Sequence, residues 1–310
     1  MVVSGEELST NSIADEEETT AEPILLLVQC VNAKTVHSLL KAVQFRESSI
    51  VQASDQGLKI TVEDMRCVQL TAFLQKAMFK KFTLSAECVN FRINLGLLCD
   101  CLNIFGTQAS GPSFSGGGNS TSTTSSSLHP CCELSYRGPG HPLKIVLEEN
   151  GVVTECSIRT LESEEILDFG FQATEVVNKI IMKAESLRNA FAELDPSADM
   201  TQLIFLPDLL KVQCSGPCGE IEIEFPKDSD VIEVFVFGEE QYNRYRTHLL
   251  KPSLKALQLS SRVSLRTDTR GFLSIQFMIE IEDGQVSFIE YFCAPERELE
   301  EESLQSLVVE

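Results

Sequence analysis

The sequence predicts an α+β protein built from two similar units, and three observations carry that prediction. Short apolar runs bounded by turn residues far outnumber helical stretches, which calls for sheets rather than a helical bundle. Few stretches space their apolar residues as a helix does, and they fall at matching places in the two halves. The order of elements also recurs: Ser38-Leu39 and Ala42 return as Ser186-Leu187 and Ala190, Leu95 and Leu102 as Leu250 and Leu257, and the hairpin glycine Gly151 as Gly284.

The first unit opens with an apolar strand over Ile24–Val31. A helix follows over Ala33–Phe45, where Val36, Leu39, Leu40 and Val43 recur at i, i+3, i+4 and i+7. Strands are expected at Gly57–Val62, Cys67–Phe73, Phe79–Ser85 and Val89–Leu95, then a helix over Gly96–Phe105. Between Thr107 and Pro130, 16 of 24 residues are Ser, Thr or Gly. Such a composition buries too little apolar surface to offset the entropy of ordering, which predicts a flexible surface insertion. Its Gly116-Gly117-Gly118 lacks the flanking strand and helix of a phosphate-cradling loop. Strands resume at Cys132–Tyr136, Leu143–Leu147 and Val152–Ile158, and Asn150-Gly151 is a type I′ hairpin signal because both residues tolerate positive φ. Leu167, Phe169 and Phe171 alternate with Ile166, Asp168 and Gly170, predicting one more strand.

The second unit repeats the order. A strand over Val176–Ile181 leads into a helix over Lys183–Leu194. Strands are expected near Leu203–Leu206, Leu210–Cys214, Glu220–Phe225 and Val231–Phe237. A helix starts at Pro252, a residue suited to a first helical position. Strands at Ser264–Thr267, Leu273–Ile281 and Val286–Phe292 complete the unit, with Asp283-Gly284 turning the last pair. The resulting division is an acidic tail over 1–23, a first unit over 24–171 carrying the insertion 107–130, a connector over 172–175, a second unit over 176–294 and an acidic tail over 295–310.

The net charge is −21, from 25 Lys+Arg and 46 Asp+Glu, which argues against indiscriminate nucleic-acid binding by the chain as a whole. The acids are concentrated at the ends, while three stretches carry bases and no acid. These are 23–46 with Lys34, Lys41 and Arg46, 65–86 with Arg66, Lys76, Lys80 and Lys81, and 241–267 with six bases between Arg244 and Arg266. An acidic protein of this kind can offer a local positive face to a polyanion. No run approaches the roughly 18 apolar residues of a membrane span, and the polar, acidic start predicts no signal or transit peptide. The 11 scattered cysteines are expected as reduced intracellular thiols. Metal binding is disfavoured: His129, Cys131, Cys132 and His141 lack ligand spacing, and Cys214 and Cys218 have no neighbouring His. Asp168-Phe169-Gly170 matches the kinase magnesium triplet without any of its companion loops.

Several stretches carry a family resemblance. They are Phe91-Arg92-Ile93-Asn94-Leu95 with Cys99-Asp100-Cys101-Leu102, Leu147 through Thr154, Phe225 through Asp230, Leu249 through Ser253, and Arg266 through Ser274. Together with a tandem of βαβββ-βαβββ units, they resemble the eukaryotic DNA sliding clamps of the proliferating cell nuclear antigen fold. Within that fold they resemble the Rad-one-type subunit of the heterotrimeric checkpoint clamp, over about 24–294. The resemblance implies a PCNA-like fold with helices on one face, and a nuclear, non-catalytic ring subunit without cofactor or metal. It implies assembly with two paralogous clamp subunits, loading by a clamp-loader complex, sequence-independent encirclement of double-stranded DNA, and support of checkpoint signalling and repair.

In such a ring the helices line the hole, where Lys and Arg neutralise phosphates without reading bases. The expected DNA-facing residues are Lys34 and Lys41 on the first helix, Lys183 and Arg188 on the third, and Lys251 and Lys255 on the fourth, the last two sharing a face at a four-residue spacing. Two alternating stretches are expected as subunit edges: Ile221, Ile223 and Phe225, whose other face is all Glu, and Leu167, Phe169 and Phe171. The connector over Gln172–Glu175 would span at most about 14 Å, too short to arch over a peptide groove. Weak binding of clamp-interacting peptides is therefore expected. Two other readings compete: a self-closing replicative processivity clamp, and a metal-dependent 3′–5′ exonuclease, for which no particular set of carboxylates stands out.

Overall fold

The computed structural model describes residues 23–30, 32–104, 131–217, 219–281 and 284–296. The acidic ends over 1–22 and 297–310, the insertion 107–130 with the two residues before it, Val31, Cys218, Glu282 and Asp283 lie outside the described residues. The first unit runs β1 (Leu26–Cys30), α1 (Ala33–Val43), β2 (Ser48–Ser54), β3 (Gly57–Asp64), β4 (Val68–Gln75), β5 (Phe79–Leu84), β6 (Val89–Asn94), α2 (Leu95–Leu102), β7 (Cys131–Tyr136), β8 (Leu143–Glu149) and β9 (Val152–Ile158). The second repeats the order: β10 (Val176–Lys183), α3 (Ala184–Glu193), β11 (Met200–Phe205), β12 (Leu209–Gly216), β13 (Gly219–Pro226), β14 (Ile232–Val236), β15 (Gln241–Arg246), α4 (Thr247–Leu250), α5 (Ser253–Leu259), β16 (Arg262–Asp268), β17 (Leu273–Glu280) and β18 (Val286–Cys293). Here α2 is answered by two short helices, because Pro252 has no N–H to continue the ladder.

The α+β class and the recurrence are both present. Every ladder between the named strands is antiparallel, and the strands form three sheets. A five-stranded sheet has the order β5-β1-β7-β8-β9, and a four-stranded sheet the order β13-β12-β11-β15. The third has nine strands, β14-β10-β16-β17-β18-β4-β3-β2-β6. It is the second unit's five-stranded sheet joined to the first unit's four-stranded one. The joint is the pairing of β18 with β4, from Phe288 opposite Phe73 to Cys293 opposite Val68.

The repeat extends to how each unit ends. After β9 the chain turns back on β6, and the backbone N–H groups of Leu161 and Arg92 each donate to the other's carbonyl, at 2.8 and 2.9 Å. After β18 it turns back on β15, and the Glu296 N–H donates to the Arg244 carbonyl at 2.7 Å. Each backbone bond satisfies groups on an otherwise open strand edge.

Local signals account for the main elements. The Asn32 side chain caps α1 by accepting from the Lys34 and Thr35 N–H groups, and Asn94 caps α2 from Leu97. The helix α1 buries Ala33, Val36, Leu39, Leu40, Ala42 and Val43 against β3 and β4, and α3 buries Leu187, Ala190 and Phe191 against β10 and β16. Each fully buried Leu or Phe contributes about 1.5–3 kcal/mol by leaving water. Asn150 and Gly151 both have positive φ, 53° and 79°, as the type I′ turn requires. At Gly57, with φ of 132°, an added Cβ would stand 2.2 Å from the Leu74 carbonyl oxygen, so the start of β3 can cross the end of β4 this closely only without a side chain.

The structure departs from the sequence reading at four places. Ser48–Ser54 and Gln241–Arg246 are strands that hydrophobic patterning missed. The first has successive buried residues Ser49, Ile50 and Val51, so alternation is lost; the second is polar, burying Gln241 and Tyr245 alone. Ile166–Phe171 makes no ladder and is not an edge strand; it belongs to a connector running from 159 to 175. The four-residue connector over 172–175 is therefore too short an estimate. The alternation there reflects packing on the outer sheet face. The Phe169 ring lies 5.3 Å from Phe272 and 6.0 Å from Phe292, and Phe171 lies 5.5 Å from Phe292, centroid to centroid. The Gln69 side chain donates to the Leu167 carbonyl, and Arg270 donates to those of Phe169 and Gly170. Weak peptide binding therefore no longer follows from connector length.

Candidate nucleic-acid interface

The four longer helices form a continuous row, α2-α1-α5-α3, with α1 against α5 crossing between the units. They back one side of the sheets and each buries an apolar stripe; the open face is polar on α1, whereas α2 and α5 also expose Leu97 and Leu259. Lys34, Ser38 and Lys41 make the exposed stripe of α1. Lys255 is exposed on α5, and Arg188 is half-buried on α3. Asp100 on α2 and Glu185 and Glu193 on α3 dilute the positive charge. No exposed residue of these helices is aromatic. Such a face has the chemistry to neutralise phosphates and offers no ring to stack on a base.

Individual placements differ from the sequence reading. Lys183 is the last residue of β10 rather than a residue of α3. Lys251 sits between α4 and α5, and it diverges from Lys255 instead of sharing a helical face. Its ammonium points to the Pro196 carbonyl at 3.5 Å, whereas that of Lys255 donates to the Gln44 carbonyl at 3.0 Å, at the C-terminal end of α1. Lys255 is thereby brought beside Lys41, and both line a recess of about 550 Å³ with Gln44, Phe45, Arg46 and Glu47. Arg46 is held by Asp64, a pairing that no sequence pattern announces. The Arg188 guanidinium donates to the Gln258 carbonyl at 3.2 Å, tying α3 to α5. On α1, burial and then the nearby Lys41 hold the His37 imidazole below its ordinary pKa of 6.5, favouring the neutral ring.

The buried cysteines behave as packing residues, whereas Cys88 and Cys131 are exposed. Cys132 is buried opposite Cys30 across β7 and β1, and that thiol contact, with burial, raises its pKa strongly. Burial, and then a hydrogen bond to Cys156, push Cys101 to about 11. These are poor nucleophiles and poor ligands near neutral pH. Among the described residues, no group of three or more His, Cys, Asp or Glu is placed to hold a metal ion.

Among the described residues, two strands lie at open sheet edges whose equivalents are paired inside the chain. β9 ends the five-stranded sheet and holds the place of β18; β13 ends the four-stranded sheet and holds the place of β4. Ile221, Ile223 and Phe225 point from β13 toward the helix side, with Phe225 buried. β9 was missed as an edge by sequence reasoning, although exposed apolar residues mark it: Val152 and Val153 are 58% and 62% exposed.

Comparison with known proteins adds the family. A family model described as Repair protein Rad1/Rec1/Rad17 matches residues 25–279. The cell cycle checkpoint protein RAD1 of Mus musculus is 46% identical over 289 residues, covering 93% of this chain and 97% of that protein. That of Homo sapiens is 44% identical over 296 residues, covering 95% and 98%. A more partial match, 28% identical over 219 residues and covering 53% of this chain and 47% of the relative, is to the DNA repair exonuclease REC1 of Mycosarcoma maydis. With its α+β clamp fold and these matches, the chain belongs to the Rad1 family of repair and checkpoint proteins.

Proposed function

We propose that this chain is a non-catalytic subunit of a heterotrimeric DNA-damage checkpoint clamp. It joins two paralogous subunits in a nuclear ring that a clamp loader closes around double-stranded DNA. The row α2-α1-α5-α3 faces the duplex; Lys34, Lys41, Arg188 and Lys255 on it supply positive charge, and Lys183 at the end of β10 and Lys251 ahead of α5 add to it from the flanks. The units joined in the ring are 24–158 and 176–294, linked by 159–175, with the acidic tails and the insertion 107–130 outside the ring body. Ile221, Ile223 and Phe225 of β13 meet one neighbour, and Val152, Thr154 and Cys156 of β9 meet the other. Leu167, Phe169 and Phe171 act within the chain, holding the connector to the sheet.

The observation that carries this reading is the joint between β18 and β4. Two similar units already meet there edge to edge, and the equivalent edges β9 and β13 remain open at the two ends of the chain's sheets. Repeating the same joint between subunits extends the row of helices along one side, as an encircling ring needs. Hydrolysis of DNA by a two-metal mechanism needs several converging carboxylates. The acids of the helix face are instead spread over α2 and the two ends of α3. The test is co-expression with the two paralogous subunits, followed by measurement of mass and of retention on closed circular DNA. A 1:1:1 complex retained on the circle is expected. A chain that stays alone, or that degrades DNA with loss on substituting one carboxylate pair, would sink the proposal.

A further inference from the structure

Under the proposed function the ring closes at β9 and β13, and the side chains of these edges specify what can close it. The internal repeat sets the register. The pairs Leu143–Ile158 and Leu273–Cys293 are equivalent, so Ser157, Glu155 and Val153 stand where Phe292, Glu290 and Phe288 stand in the second unit. The pairs Leu58–Leu74 and Leu210–Phe225 are equivalent, so Glu220, Glu222 and Glu224 stand where Gln69, Thr71 and Phe73 stand in the first. Inside the chain, Phe292, Glu290 and Phe288 lie opposite Gln69, Thr71 and Phe73. This internal joint is neutral or apolar at all but one position.

The same joint between two copies of this chain would be different. Its helix-side face would match, with Cys156, Thr154 and Val152 against Ile221, Ile223 and Phe225. Its outer face would set Glu155 directly opposite Glu222, and the exposed Val153 opposite Glu224. Directly opposed like charges destabilise a strand pair. The local bases do not offset this. Lys211 already serves both Glu222 and Glu224, at 2.6 and 3.0 Å, and Lys144 serves Glu155 at 2.9 Å. We propose that the glutamate row of β13 excludes a second copy of this chain and selects a neighbour whose antiparallel edge strand carries Lys or Arg opposite Glu222 and Glu224. The choice of partner is then written in charge on the outer face, while the inner face supplies general apolar adhesion.

The test uses the full chain. Sedimentation of the wild type should show a monomer, and Glu222→Lys with Glu224→Lys should raise the self-association constant at least about tenfold, since a Lys at 222 would face Glu155. Glu155→Lys, changed on the opposite strand, should do the same and guards against misfolding of the double variant. A homotrimeric wild type, or no gain in both variants, would overturn the inference. In co-expression with the two paralogous subunits, the double variant should lose its β13-side neighbour, keep its β9-side neighbour, and leave the control Glu240→Lys unaffected. If the full ring forms regardless of charge reversal, the inference falls and the ring function stands. If even the wild type captures neither paralogue, the ring function itself fails.

Discussion

Replacing Phe169 by Ala should release the connector from the sheet without unfolding the protein. The ring is half-buried and sits on Phe272 and Phe292, at 5.3 and 6.0 Å between centroids. Full burial of a Phe is worth up to about 3 kcal/mol, so half-burial contributes about 1–1.5 kcal/mol. Two ring pairs at this separation add about 0.5 kcal/mol or more each. A total near 2 kcal/mol makes local opening about 30-fold more frequent. The reporter is the Leu167 amide, which donates to the Glu63 carboxylate at 3.2 Å and becomes exchangeable only when the connector lifts. Hydrogen exchange at Leu167 should therefore quicken about 30-fold, with amides of β16 and β17 unchanged. Unaltered exchange at Leu167, or faster exchange throughout both units, would show that the aromatic contacts do not anchor the segment.

Further expectations follow from the helix face, one strained turn and the titrating groups. In the assembled ring, Lys41→Ala with Lys255→Ala should flatten the slope of log affinity against log salt by about 0.9 for each phosphate left without its lysine, read from DNA retention across a salt series; an unchanged slope would remove the recess from the interface. Met65 and Arg66 turn β3 into β4 with φ of 50° and 55°, although neither is Gly. Arg66→Gly should relieve about 1 kcal/mol and raise the melting temperature by a few degrees in calorimetry, and a lower melting temperature would contradict the strain. Burial lowers the His37 pKa from 6.5, and the hydrogen bond from the Arg246 guanidinium lowers that of Glu296 from 4.5. In both cases the unfolded chain binds protons more readily, so stability is lost as pH falls, first below 6.5 through His37 and then below 4.5 through Glu296. Denaturant titrations should show His37→Gln flattening the upper step alone; a step that persists in this variant belongs to another group.

Much of this architecture was legible in the sequence because the responsible forces are local. The α1 face follows from apolar spacing, and the β8–β9 turn from Asn150-Gly151. The repeat follows from element order, and it reaches details as fine as Arg92 and Arg244 each receiving the chain after the last strand. What failed depended on distant partners. A strand such as β15 has almost no periodicity, because its polar residues are organised by neighbours: Gln241 bonds Asp268 and Asn178, and the Tyr245 hydroxyl donates to the Gly271 carbonyl at 2.7 Å. The alternation of Leu167, Phe169 and Phe171 is the same signal a strand gives, and only Phe272 and Phe292, more than a hundred residues away, turn it into a packed connector. Lys251 and Lys255 share a spacing but not a direction, because Pro252 interrupts the helix between them. The place of β9 at the end of its sheet could have been found by laying one unit on the other, since its equivalent β18 is the strand that joins the units.

The proposed role is topological: this chain helps close a ring around DNA. It is tested most directly by loading the complex of the chain with its two paralogous subunits onto a closed circular plasmid and washing at high salt, where attraction to phosphates is weakened. The complex should stay on the circle and slide off when the plasmid is cut once. Equal loss from the intact and the cut plasmid would contradict it.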